Sequence, residues 1–156
     1  MMKLPEKFLL SLFFCSFLLL PFYKGFAKSY SLERVQVHAV VQPDGSIDIT
    51  ESRTYNFRGR FSWADYRLPV SGFGGVENFT LADNFGNYIP ENNEEPGSYL
   101  VEYSDSEFYV RWFYSAENES RTFHLRYSLT DVISVFSDVA ELYFKFVGRQ
   151  NNQSIG

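Results

Sequence analysis

Residues 35–57 decide the fold of this chain, and they run VQVHAVVQPDGSIDITESRTYNF. Apolar residues take alternate positions on both sides of a short turn: Val35, Val37, Ala39 and Val41 before it, and Ile47, Ile49, Tyr55 and Phe57 after it. In the turn, Pro43 presets one backbone angle, Asp44 can accept a bond from its own backbone, and Gly45 tolerates a positive φ. Alternation with period two around such a turn predicts a β-hairpin with one buried face.

Similar short apolar segments continue along the chain. We predict further strands at 61–69, 76–82, 99–103, 108–114 and 123–129, separated by turns rich in Gly, Asn and Ser. The segment 138–147 fits either a helix that starts at Asp138 or another strand. The pattern predicts an all-β chain, an antiparallel β-sandwich over 28–148 that is immunoglobulin-like only in a loose sense, followed by a polar, frayed tail at 149–156.

Composition and charge narrow the class of protein. The 156 residues are 45% hydrophobic and 19% aromatic, enough for a folded core. The net charge of −5 argues against a nucleic-acid partner, because binding to phosphates requires clustered Lys and Arg. Cys15 is the one cysteine, so a disulfide within the chain is excluded.

The N-terminus has the three parts of a secretory signal peptide. Lys3 and Lys7 precede an apolar run at 8–22, and Gly25-Phe26-Ala27 supplies small residues for cleavage after Ala27. We predict a signal helix at 1–27 and an exported, extracytoplasmic domain. The apolar run is about 15 residues, below the about 20 needed to span a bilayer. An uncleaved anchor, or a lipid on Cys15, stays open as an alternative.

Candidates for catalysis or metal binding are few. A nucleophile motif of the Gly-x-Ser-x-Gly type is missing from the sequence. The remaining candidates by residue type are two histidines at outward positions and four carboxylates for a glycosidase pair: His38, His124, Glu51, Asp65, Asp138 and Glu141. We predict no catalytic residue, no metal site, no cofactor and no enzymatic activity.

Two charged residues lie at inward positions of the second strand. Glu51 and Arg53 share the parity of Ile49 and Tyr55, which faces the core. Buried charge is costly unless it is paired. The two side chains therefore either sit at a sheet edge or pair with each other, or they form a polar patch that serves as a small site between the sheets.

Three aromatic residues have the opposite parity. Tyr109, Phe113 and Tyr143 alternate with the apolar set of their segments, which predicts an exposed aromatic stripe able to bind a glycan or a protein. In a chain this rich in Phe, both faces of a strand can also be covered.

Five segments in this order resemble a known family: SLERV at 31–35, PDGSIDITExRTYxF at 43–57, FSWADYRLP at 61–69, RTF at 121–123 with Tyr127, and DVAELYFKFVG at 138–148. Together they resemble the extracytoplasmic N-terminal domain of a prokaryotic predicted membrane protein family, domain-of-unknown-function family 2207. The resemblance implies a signal peptide, a β-domain and transmembrane helices further on, with no established activity to transfer.

The resemblance also sets expectations for the end of the chain. Phe144 stands where such proteins tend to have Trp, and the chain stops at Gly156, where they continue into further strands and the membrane. We therefore expect a truncated product, a fragment or a soluble paralogue. The predicted structure is an incomplete sandwich with an open edge and uncovered rings at Phe144 and Phe146; the alternative is that the polar tail folds back and completes a sandwich with fewer strands. Nothing after Ala27 is apolar enough to cross a bilayer.

The leading functional hypothesis is a non-catalytic extracytoplasmic interaction or structural module of a membrane protein, with a protein or glycan partner at the cell envelope. The rival hypothesis is a carbohydrate-binding or carbohydrate-processing β-sandwich.

Overall fold

A computed structural model describes residues 27–142, 144 and 155–156. Eleven strands occupy this part of the chain: β1 (Ser29–Val41), β2 (Ile47–Arg58), β3 (Arg60–Pro69), β4 (Gly75–Asp83), β5 (Gly86–Asn87), β6 (Ile89–Pro90), β7 (Ser98–Tyr103), β8 (Glu107–Glu117), β9 (Ser120–Thr130), β10 (Ile133–Val135) and β11 (Ala140–Leu142). None of the described residues is helical. The predicted signal helix lies outside the described residues except for Ala27.

The strands form two main sheets. The five-stranded sheet has the order β1-β2-β9-β4-β5, and the four-stranded sheet has the order β3-β8-β7-β6. A separate hairpin joins β10 to β11. Neighbouring strands are antiparallel except for the short β6–β7 pair, which is parallel. The prediction of an all-β, mainly antiparallel fold is confirmed.

The opening hairpin has the turn that its sequence predicts. The Ser46 N–H and hydroxyl both donate to Asp44 Oδ1, at 2.9 and 2.7 Å. Gly45 takes a φ of 85°, and its N–H donates to the Gln42 carbonyl at 3.0 Å. Beyond the turn, β1 and β2 pair residue by residue from Val41 opposite Ile47. The turn therefore sets the register that points Ile47 and Ile49 inward.

The core lies between the two sheets and is dominated by aromatic rings. Phe123 of β9 contacts Trp112 edge-on, with ring centroids 5.5 Å apart, and Tyr114 at 4.9 Å. Phe57 of β2 meets Tyr114 at 5.6 Å. All of these side chains are buried. Burial of each large ring contributes roughly 1.5–3 kcal/mol, so these contacts hold the sheets face to face.

The chain changes sheets at two corners that touch. It leaves β2 for β3 through Gly59, whose φ is 92°, and leaves β8 for β9 through Asn118, whose φ is 51°. The Gly59 N–H donates to Asn118 Oδ1 at 2.7 Å, and the Asn118 N–H donates to the Gly59 carbonyl at 3.2 Å. A side chain at position 59 would also strike Lys28 Cβ at 2.8 Å, so the corner requires glycine.

The C-terminal region settles two alternatives. Ala140–Leu142 is a strand, and Asp138 starts no helix. The expectation of a frayed tail is wrong for Gly156, because it exchanges hydrogen bonds with Trp63 at the outer edge of β3, at 2.9 and 3.0 Å. Phe144 is half-buried and meets Phe73 edge-on at 5.6 Å, so that ring is not left uncovered. Residues 145–154, including Phe146, lie outside the described residues.

Candidate functional site

Glu51 and Arg53 form an ion pair between the sheets. Arg53 donates from Nε and Nη2 to Glu51 Oε1, at 2.8 and 2.7 Å. Glu51 is 0% exposed and Arg53 is 6% exposed. Glu51 Oε2 has no hydrogen-bond partner among the described residues. The inward parity read from the sequence placed both side chains correctly, and of the alternatives raised there the two residues pair with each other.

Tyrosines complete the surroundings of this ion pair. The Arg53 guanidinium lies over the Tyr66 ring of β3, 4.5 Å from its centroid, and the buried Tyr127 of β9 lies near Tyr66. Burial raises the pKa of Glu51 in spite of the nearby guanidinium. Burial, followed by the Glu51 charge, raises the pKa of Tyr66 to about 12. The cluster joins three strands of both sheets, and its burial gives it a structural role.

The predicted exposed aromatic stripe is wrong for Tyr109 and Phe113, because both side chains are buried. Tyr109 is 8% exposed and Phe113 is 7% exposed. Both lie on the outer face of the four-stranded sheet, as their parity predicts, but Arg67 covers Tyr109 at 4.4 Å from the ring centroid. Trp63 stands directly opposite Phe113 on β3 and holds Arg111 over its ring at 4.7 Å. Long arginine stems cover the rings while their charges stay near water. Tyr143 lies outside the described residues.

The other candidates are dispersed. His124 shares a hydrogen bond with Ser52 at 2.8 Å, whereas His38 is exposed on β1. Asp65 is buried on the outer face, where Tyr109 donates to it at 3.3 Å, so it faces away from Glu51. The remaining two carboxylates, Asp138 and Glu141, are exposed near β11. Across the described ranges, no group of three His, Cys, Asp or Glu side chains could hold a metal ion.

A cleft that the sequence analysis did not single out opens at one end of the sandwich. Its volume is about 380 Å³. It is lined by the β4–β5 turn, the loop before β7, the end of β8 and the start of β9: Asp83, Phe85, Gly86, Asn87, Tyr88, Pro96, Gly97, Tyr114, Ser115 and Arg121. Both sheets thus contribute to it. We call it the Arg121 cleft.

Arg121 is held firmly in the wall of the cleft. Its Nε donates to Glu119 Oε1 at 2.8 Å, its Nη2 donates to the Ser115 carbonyl at 2.7 Å, and its Nη1 lies 3.5 Å from Asp83 Oδ2. Tyr88 donates its hydroxyl proton to the same Asp83 oxygen at 2.9 Å. The Arg121 and Asp83 side chains are almost completely buried. Charge-assisted bonds of this number fix the guanidinium in one orientation.

Two aromatic side chains give the cleft its distinctive surfaces. Phe85 is 77% exposed and lies over the Arg121 guanidinium, 4.6 Å from ring centroid to Cζ. Its N–H donates to Asp83 Oδ1 at 2.7 Å, which fixes the turn beneath the ring. The Tyr114 hydroxyl is buried and has no hydrogen-bond partner in the described part of the chain. Burial raises the pKa of Tyr114 and of Tyr88, so both hydroxyls stay protonated at neutral pH.

A signal for this cleft was present in the sequence. Residues 83–87, DNFGN, form a polar turn with one large aromatic residue in it. Phe85 is 77% exposed and so lies outside the core, and it is the local feature of the sequence that lies at this cleft. The partners Tyr114 and Arg121 could not be linked to that turn from the sequence, because they come from other strands.

The fold defines an all-β domain of two facing sheets, with loops gathered at the ends of the sandwich. The family model for the predicted membrane protein (DUF2207) N-terminal domain matches residues 31–156, and the chain belongs to this family. No curated protein and no solved structure matches the chain. The described residues contain no helix that is long and apolar enough to cross a bilayer.

Proposed function

We propose that this domain is a non-catalytic, extracytoplasmic interaction module of a membrane protein. The family supports the association with a membrane, and the signal pattern at 1–27 supports export. The observation that carries the proposal is the Arg121 cleft: its charged groups are bonded to one another, while the Phe85 ring is left open to solvent.

This arrangement suits recognition better than catalysis. A general acid or base needs a pKa near the working pH and a proton free to move. In the Arg121 cleft the guanidinium donates to Glu119, Asp83 and the Ser115 carbonyl, and burial moves the tyrosine pKa values further from neutrality. The groups therefore act as fixed donors and acceptors. Rigid polar groups beside an exposed aromatic ring are typical of binding hot spots.

Accessible-thiol labelling tests the location. In a Cys15→Ser background, Asn93→Cys introduces a single thiol in the exposed loop before β7. We expect a membrane-impermeant maleimide to label it on intact cells. The buried Ile49→Cys is the matched control and should react only after denaturation. Labelling of Asn93→Cys that requires cell lysis would contradict extracytoplasmic placement.

A binding measurement tests the interaction. We expect the purified exported chain, carrying a fluorophore, to bind washed cell envelopes saturably, and Phe85→Ala to reduce this binding. Val41→Ala is the control, because Val41 is also an exposed apolar residue but lies in the β1–β2 hairpin at the opposite end of the sandwich. Equal binding by Phe85→Ala and the unmodified chain would exclude the cleft as the interaction surface.

A further inference from the structure

We propose that the Arg121 cleft binds a neutral pyranose unit of a glycan. The inference rests on the proposed interaction function and names the ligand class for the same site. It follows from four properties of the cleft: its size, its charge balance, its unused hydrogen-bonding groups and its exposed ring.

The size of the cleft suits a small ligand. Its volume of about 380 Å³ lies within the range of roughly 300–1,000 Å³ found for small-molecule sites. Gly86 and Gly97 line it, and a Cβ added to either glycine would meet no atom within 4 Å. The rim at these two glycines is therefore open, and a rigid ring can approach the wall without displacing side chains.

The charge balance disfavours ionic ligands. One guanidinium, Arg121, faces two carboxylates, Asp83 and Glu119, so the cleft offers no surplus positive charge to a phosphate or carboxylate. A cation would have to compete with Arg121 for the same carboxylates. A neutral ligand avoids both penalties.

The unused hydrogen-bonding groups fit hydroxyls. The buried Tyr114 hydroxyl has no partner among the described residues, and such a group costs about 1–3 kcal/mol until it is satisfied. The Asp83 carboxylate receives bonds from Tyr88, Arg121 and the Phe85 N–H, and a carboxylate has about four acceptor positions. One donor and one acceptor position therefore remain among the residues that line the cleft. A sugar hydroxyl is both donor and acceptor, so neighbouring hydroxyls of a pyranose satisfy both.

The exposed ring supplies the apolar contact. Arg121 supports one part of the Phe85 side chain at 4.6 Å, and 77% of the residue is open to water. The C–H face of a pyranose is flat and apolar, and packing it on the ring removes both surfaces from water. The bond from the Phe85 N–H to Asp83 orders the turn before the ligand arrives, which lowers the entropic cost of binding.

A second groove on the four-stranded sheet lacks this contact. Its volume is about 400 Å³, and it is lined by residues that include Arg67, Glu107 and Tyr109. Arg67 lies over the Tyr109 ring and is paired with Glu107 at 2.9 Å. Tyr109 is only 8% exposed, whereas Phe85 is 77% exposed in spite of its contact with Arg121, so only the Arg121 cleft offers a ring on which a sugar can stack.

Titration calorimetry with neutral oligosaccharides tests the proposal. The probes are tetramers of N-acetylglucosamine, β-1,4-glucose and mannose, added to the purified exported chain, with inorganic phosphate as the anionic probe. We expect at least one neutral tetramer to bind and phosphate not to bind. Phe85→Ala should weaken that binding at least tenfold, about 1.4 kcal/mol, and Tyr114→Phe should weaken it by a smaller factor. Val41→Ala should bind within twofold of the unmodified chain.

Thermal unfolding of each variant checks whether it is folded, and we expect Phe85→Ala to melt as the unmodified chain does, since Phe85 is 77% exposed. Failure of all three neutral tetramers to bind, or binding that Phe85→Ala leaves unchanged, would overturn the proposal that the cleft binds a glycan. Envelope binding that depends on Phe85 but is lost after protease treatment of the envelopes would also overturn the glycan, while the interaction module would stand. Envelope binding that is unchanged in Phe85→Ala would instead contradict the proposal that the cleft is the interaction surface of the module.

Discussion

Replacement of Arg53 by Met should make the stability of the domain strongly dependent on pH. Methionine keeps much of the apolar stem and removes the charge. Glu51, which is 0% exposed and bonded to Arg53 at 2.7 Å, would then be buried without a cation. In the folded variant Glu51 either stays charged or takes up a proton. The loss of stability at pH 7 is set by whichever of the two has the lower free-energy cost.

The first response keeps the carboxylate charged and loses its attraction to Arg53. At an effective dielectric of about 20 and a separation of about 4 Å, that attraction is about 4 kcal/mol. The second response protonates Glu51. Taking up a proton at pH 7 on a carboxyl whose ordinary pKa is 4.5 costs about 3.4 kcal/mol. Protonation is cheaper, so we expect a loss of about 3 kcal/mol at pH 7.

The sign of the pH dependence follows from the same proton. Burial already raises the pKa of Glu51, and removal of Arg53 raises it further. The folded state then binds the proton more tightly than the unfolded chain, so stability is greatest below about pH 4.5 and falls as the pH rises toward the raised pKa. At pH 4 the loss is limited to the contacts of Arg53 with Tyr66 and Tyr55, on the order of 1 kcal/mol.

Urea unfolding at pH 4, 5.5 and 7, followed by the fluorescence of buried Trp112, measures the difference in unfolding free energy between Arg53→Met and the unmodified domain at each pH. The double variant Glu51→Gln with Arg53→Met should remove the pH dependence and recover at least 2 kcal/mol at pH 7, because no charge is left buried. Arg60→Met is the matched control: its pair with Glu117 is 77% and 56% exposed, and its loss should cost less than about 1 kcal/mol. An equal loss of stability at pH 4 and pH 7, or a double variant no more stable than Arg53→Met, would show that an unpaired Glu51 is not the cause of the loss.

Two further predictions concern single residues. Glu51→Gln should flatten the pH dependence of the unmodified domain above about pH 4.5, since the raised pKa of Glu51 makes wild-type stability decline there; an identical urea midpoint profile from pH 4 to 7 would count against it. Gly45→Ala should lower stability by about 1 kcal/mol in thermal unfolding, because φ is 85° and no atom lies within 4 Å of the added Cβ, so the cost is in the backbone alone. Gly45→Asn should cost less, since Asn tolerates this region, and equal melting of all three proteins would show that the turn is not strained.

The sequence predicted the local parts of the fold well. The β1–β2 hairpin follows from alternation around Pro43-Asp44-Gly45, and the strands over 99–103, 108–114 and 123–129 lie within β7, β8 and β9. Each of these depends on a period of two within one segment, which adjacent residues are enough to reveal. The inward parity of Glu51 and Arg53 was equally local.

The exposure of the predicted stripe could not be predicted in the same way. Parity placed Tyr109 and Phe113 on the outer face, but Arg67, which covers Tyr109, comes from a neighbouring strand. The Arg121 cleft is still less local, since Arg121 and Asp83 are 38 residues apart and meet only when β9 has paired with β4. Sites built from several strands depend on strand order, which alternation does not encode.

The contact between Gly59 and Asn118 bears on the order in which the domain folds. The two residues are 59 positions apart, so their meeting closes a loop at an entropic cost of about 4 kcal/mol. Once it is closed, β2 and β9 are aligned from Asn56 opposite Ser120, and β3 and β8 from Arg60 opposite Glu117. Closing this one loop therefore brings the first residues of the β2–β9 and β3–β8 pairs together. Further pairing along these strands does not require another loop of that length to close. We therefore expect the corner that joins the sheets in space to couple their formation during folding.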